Sequence, residues 1–84
     1  VPRRRNPYPD WIAPRQQALG HRIAALRETA GLSQDQLAER TGMDRRSIQR
    51  YENAVRTPRI TDLWLIAEAL GVPAADLIAD LPPE

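Results

Sequence analysis

Apolar positions along this chain fall into short groups, each spaced as a helix requires and each separated from the next by glycine, proline or a capping residue. Leu19, Ile23, Leu26 and Ala30 recur at intervals of four, three and four, which puts them on one stripe of a helix. That helix is expected to begin between Asp10 and Pro14, because proline is tolerated only in a first turn. Gly20 lowers its propensity by up to about 1 kcal/mol relative to Ala. Leu37 and Ala38 form a narrow apolar face in a second segment, about Gln34 to Thr41. Ile48, Tyr51 and Glu52 share one side of a third, about Arg45 to Asn53. Leu63, Ile66, Ala67 and Leu70 point inward from a fourth, about Thr61 to Leu70. Leu77, Ile78 and Leu81 are expected to close the bottom of the core from a last helix that starts at Val72-Pro73 and stops at Pro82-Pro83. The pattern predicts an all-α chain built as a compact five-helix bundle.

The punctuation between these groups is specific. Ser33 is placed to accept a bond from a free N–H of the second helix's first turn, and Gln36 stands three residues on, as a capping box requires. Gly42 permits the left-handed backbone that ends a helix. Asp44 then caps the third helix, its carboxylate toward the positive end of the dipole. Met43 and Ile48 are spaced as a hydrophobic staple. Gly31 to Asn53 therefore reads as two short helices joined by a tight turn.

The third helix has a second face. At about 100° per residue, Arg46, Gln49, Arg50 and Asn53 lie opposite Ile48, Tyr51 and Glu52, with Arg45 at the exposed first turn. Such a face serves as a solvated surface in many proteins. It also suits a DNA major groove, where Arg donates twice to guanine O6 and N7 and Gln pairs with adenine.

Net charge changes the picture only when divided. The chain of 84 residues carries +1 overall, yet residues 1–61 hold all twelve arginines against six acids, a net of +6, and residues 62–84 hold five acids and no base, a net of −5. A local field of this kind attracts a polyanion although the total does not. Lysine is absent, so every side-chain cation is a planar fork; GC-rich coding accounts for that equally well. With no cysteine there is neither a disulfide nor a thiolate metal site. No apolar run approaches the ~20 residues of a membrane span. His21, the single histidine, has no partner at ligand spacing and is expected on an exposed helix surface. No phosphate-cradling glycine loop is present, Ser33 and Ser47 have capping and backbone roles, and Asp35 with Glu39 reads as a solvated like-charge pair. The expectation is a protein that is not an enzyme and holds no cofactor or metal.

Residues 1–12 contain three prolines and no helical period before Trp11, which predicts an extended basic arm. Arg3, Arg4 and Arg5 are its candidate DNA contacts, in a minor groove or along phosphates; a mobile tail is the other reading. Tyr8 and Trp11 are apolar surface of the sort that anchors an arm. Trp64 and Leu65 fall off the inner stripe of the fourth helix. Trp64 is expected to pack on Trp11 and the arm, with a second subunit as the alternative.

The residues Leu26-Arg27, Gly31-Leu32-Ser33-Gln34, Leu37-Ala38, Gly42, Ile48, Glu52-Asn53, Pro58 and Ile66 to Val72 together resemble the helix-turn-helix of the phage-repressor/Cro family, also called XRE (xenobiotic response element). The likeness spans about Leu19 to Ile78. It implies a lambda-repressor-like bundle over residues 13–81, with an 82–84 tail and the helix-turn-helix at helices two and three. It implies a transcription regulator that binds double-stranded DNA, in the cytoplasm of a bacterium and associated with its nucleoid. Arg45, Arg46, Gln49 and Arg50 would touch base edges; Gln34, Ser47, Asn53, Arg56 and Arg59 would touch the DNA backbone. Arg27 would pair with Glu52, a structural contact that the inward position of Glu52 already calls for. The family usually carries glycine after the third helix. Ala54 stands there, and Asn53 is expected to take the left-handed conformation instead. A homodimer reading two half-sites is the usual assembly. Antitoxin- and coregulator-type relatives use the same fold to bind proteins, which here would engage Trp64 and the acidic C-terminal part.

Overall fold

The computed structural model describes residues 8–79. The candidate contacts Arg3, Arg4 and Arg5, the expected core residue Leu81 and the 82–84 tail lie outside the described residues. The order is α1 (Ile12–Thr29), α2 (Gln34–Thr41), α3 (Arg45–Glu52), α4 (Ile60–Leu70) and α5 (Ala74–Ile78), with no strand among the described residues. α3 packs against α1 and α2, α4 against α2 and α5, and α1 reaches both α4 and α5.

The core is where the apolar stripes meet. Ile23, Leu37, Ile48, Ile66 and Leu77, one from each helix, are its fully buried large side chains. Each contributes about 1.5–3 kcal/mol relative to an exposed side chain. Leu19, Leu26, Met43, Leu70 and Val72 pack around them half-buried. Two expected core positions are not there. Ala30 is the exposed C-cap of α1, because the helix ends one residue before the stripe returns to the core. Ile78 remains 55% exposed, because a helix as short as α5 buries one ridge, and Leu77 occupies it. α5 is held by Arg22 of α1, whose Nη1 donates to the carbonyls of Asp76, Leu77 and Ala79 at 3.1, 3.2 and 2.8 Å. These are the free acceptors that a helix C-terminus leaves.

Gly20 is not a weakness of α1 but a point where α1 comes close to the backbone of α3. A Cβ there would meet the carbonyl oxygens of Glu52 and Tyr51 at 2.5 and 2.7 Å. The missing side chain lets α1 cross under the end of α3.

Four helices end alike. The N–H of Leu32 bonds Arg27 O, Met43 bonds Ala38 O, Val55 bonds Arg50 O and Val72 bonds Ala67 O, at 2.9–3.1 Å. The residue before each of these donors is left-handed: Gly31, Gly42, Ala54 and Gly71. This is the C-terminal closure that favours glycine, with an apolar residue following. At α3 the left-handed residue is Ala54, with φ 58, whereas Asn53 has φ −88. The expectation for Asn53 is thus corrected. At α3 the hydrogen bonds close around the residue after the C-cap Asn53, so Ala54 takes positive φ although it is not glycine. Val55 is also exposed, unlike the buried Leu32. Ala54→Gly relieves the left-handed strain and should stabilise the domain by about 1 kcal/mol. A rise in the urea midpoint at unchanged slope would show it; a fall would mean that the closure carries no strain.

Candidate nucleic-acid interface

The turn between α2 and α3 forms from local chemistry. Ser33 Oγ accepts from Gln36 N at 3.0 Å and Gln36 Oε1 accepts from Ser33 N at 2.8 Å, completing the capping box. Gly42 is left-handed at φ 76. Asp44 Oδ1 accepts from Ser47 N at 2.7 Å. Donors from Ser47, backbone and side chain, hold the Asp44 carboxyl below the usual carboxylate range, and the charges of Arg46 and Arg50 add to this. Thr41 is turned inward, its hydroxyl donating to Leu37 O and Ala38 O.

α3 is sealed on one side and open on the other. Ile48, Tyr51 and Glu52 are buried; Arg45, Arg46, Gln49, Arg50 and Asn53 are not, and α3 turns them outward. Glu52 is 6% exposed and accepts from Arg27 Nε at 2.6 Å, Arg27 Nη2 at 3.0 Å and Gln34 Nε2 at 3.1 Å. Arg27 Nη1 also donates to Leu32 O at 2.8 Å. The bond to Glu52 raises the Arg27 guanidinium above its ordinary value, against the opposing effect of burial. Gln34 is therefore not a freely swinging side chain. One of its amide hydrogens is committed to Glu52, which leaves one for another acceptor.

A second inner contact ties α3 to α4. Tyr51 Oη donates to Asp62 Oδ2 at 2.6 Å, and both residues are buried. Burial pushes the Tyr51 phenol up, and the neighbouring Asp62 adds to the shift. The spacing of apolar positions along the chain gives Asp62 no partner. The bond's one signal was an acid a turn into a helix that Arg59 caps without a side-chain bond. Arg59 Nε stands 4.0 Å from Asp62 Oδ2. Arg56 and Arg59 line one polar cleft with Ser47 and Asp44. The loop bearing both arginines is anchored by buried Pro58 and by a bond from Gln16 Nε2 of α1 to Thr57 Oγ1 at 2.9 Å.

The aromatic residues do not meet as expected. Trp11, Tyr8 and Ile78 line an apolar groove of about 650 Å³ between α1 and α5, and Trp64 does not. Trp11 carries the Arg15 guanidinium 4.6 Å above its ring. Trp64 stays 58% exposed on the outer side of α4, one residue off the buried Leu63. Among the described residues no group of three or more His, Cys, Asp or Glu side chains is placed to hold a metal, and no helix is long and apolar enough to cross a membrane.

A sequence family described as Helix-turn-helix matches residues 23–77, more than half of the chain. The chain belongs to the helix-turn-helix family. An uncharacterised HTH-type transcriptional regulator of Sinorhizobium fredii is 32% identical over 60 residues, covering 71% of this chain and 78% of its own length. One from Rickettsia prowazekii is 42% identical over 52 residues, covering 62% of this chain and 40% of its own length. The restriction-modification controller protein C.AhdI of Aeromonas hydrophila superposes with a TM-score of 0.72 at 31% identity, over 74% of this chain and 94% of its own. A hypothetical transcription factor, NHTF, from Neisseria superposes at 0.74 and 31% identity, over 93% and 86%. In this helix-turn-helix domain, α2 and α3 are the two helices of the motif. The five-helix arrangement is the lambda-repressor-like fold expected from the sequence.

Proposed function

We propose that the domain binds double-stranded DNA sequence-specifically, as part of a transcription regulator, with α3 in the major groove. One observation carries the reading: Arg46, Gln49 and Arg50 stand exposed on a helix whose opposite face is sealed by Ile48, Tyr51 and Glu52. Arg45, Arg46, Gln49 and Arg50 read base edges, as donor-rich side chains at this spacing can. Gln34, Ser47, Asn53, Arg56 and Arg59 hold phosphates and set register. For Gln34 the groups that do so are its second amide hydrogen and the first N–H groups of α2. A single domain of this size buries little surface, so two copies on adjacent half-sites supply the affinity. The exposed Trp64 names no partner by itself, and no observation favours a protein over DNA as the ligand of α3.

Site selection from a random duplex pool followed by gel shift tests the proposal. Arg46→Ala and Arg50→Ala should each lower affinity for the selected site by about 1–3 kcal/mol with thermal unfolding unchanged. With about six phosphates neutralised, log K should fall against log salt with a slope near −5. A chain that retains no duplex even at low salt sinks the proposal.

A further inference from the structure

Asp35 stands in the first turn of α2, and Arg45 is the first residue of α3. Their side chains meet across the turn, Arg45 Nε lying 3.6 Å from Asp35 Oδ1. Both are well exposed, at 60% of the side-chain surface for Arg45 and 77% for Asp35, so in the free protein water competes with the pair. The backbone at both ends is nevertheless held by caps. Asp35 sits inside the capping box of Ser33 and Gln36, and Arg45 follows the Asp44 cap. The nitrogen that faces Asp35 is Nε, which leaves the two Nη groups at the outer end of the fork.

We propose that Asp35 is a specificity-determining residue: it holds Arg45 by Nε and presents both Nη groups end-on to guanine O6 and N7. The inference rests on Arg45 being a base reader, as in the proposed function. Guanine is the base selected because its major-groove edge offers two adjacent acceptors, whereas the adenine edge sets a donor beside its one acceptor. Inserted beside a duplex, the ion pair loses its competing water and its attraction strengthens. Asp35 also carries a cost that a purely supportive residue would not. It adjoins Gln34 at the helix end that faces phosphates, so its negative charge repels every duplex alike. A residue that weakens binding to all sequences while sharpening one contact trades affinity for discrimination.

The test uses the duplex selected by the wild-type chain and its three substitutions at the base pair whose preference Arg45→Ala abolishes. Asp35→Asn should reduce the guanine preference there by about tenfold, within the roughly 5- to 150-fold that one two-pronged contact supplies. Its affinity for an unrelated duplex should rise severalfold. Asp35→Glu should keep part of the preference. If Asp35→Asn binds all duplexes more tightly and keeps the full guanine preference, Asp35 is only a repelling charge and this inference fails alone. If the wild-type chain enriches no sequence, or Arg45→Ala changes no base preference, base reading by Arg45 fails and the inference falls with it.

Discussion

Arg27→Ala is expected to cost about 3–5 kcal/mol of folding stability. The guanidinium supplies two of the three donors that Glu52 accepts, and it also satisfies Leu32 O. Without it, a carboxylate only 6% exposed keeps the single bond from Gln34. Removing one member of a buried pair costs far more than the pair contributes, because the remaining charge stays desolvated. Replacing both members by apolar residues, as in Arg27→Met with Glu52→Leu, should recover most of the loss. Urea unfolding of the two variants checks this through the midpoint at unchanged slope. A shift below about 1 kcal/mol for Arg27→Ala would place the pair with ordinary surface ion pairs. The consequence extends to binding, since Glu52 is the last residue of α3 and its grip by α1 sets the pitch of the exposed face.

Gly20→Ala should destabilise by about 3 kcal/mol, the upper end for overpacking. The added methyl meets backbone carbonyls of Tyr51 and Glu52 rather than the ends of flexible side chains. α1 and α3 must therefore separate, and alanine's better helix propensity returns only about 1 kcal/mol. The same separation stretches the Arg27–Glu52 bonds, so the two substitutions should not add when combined. Thermal unfolding of the single and double variants measures both effects. A Gly20→Ala variant as stable as the wild type would show that the crossing gives way freely.

Both contacts converge on Glu52, and the sequence showed them unequally. The charge pair was legible: helical spacing put Glu52 on the inner face, where a carboxylate needs a cation, and the family resemblance named Arg27. The backbone crossing was not. Gly20 inside a helix reads as a loss of propensity, because nothing near it in the chain records which carbonyl will lie against it. Asp62 was missed for the same reason; its partner Tyr51 is eleven residues away on another helix. Asp35 and Arg45 are individually plain surface charges, and only the angle of α2 to α3 makes them a pair. At Ala54 the local rule favoured Asn53 for the left-handed site, but the hydrogen bonds between the loop and Arg50 chose the position.

By itself the sequence determined what acts over four or five residues. The five helices, the Ser33 and Asp44 caps, the glycine closure at Gly42 and the two faces of α3 all follow from periodicity and short-range hydrogen bonding. Exposure of Arg46, Gln49 and Arg50 followed too, since a helix that buries Ile48 and Tyr51 must turn the opposite side outward. The tertiary structure alone decided which residues touch across helices: Gly20 beneath Glu52, Arg22 on the end of α5, Tyr51 on Asp62, Asp35 beside Arg45. Trp64 stayed exposed and outside the groove that Trp11 lines by the same route. Such contacts depend on crossing angles set jointly by the whole core, and side-chain spacing along one helix carries no information about them.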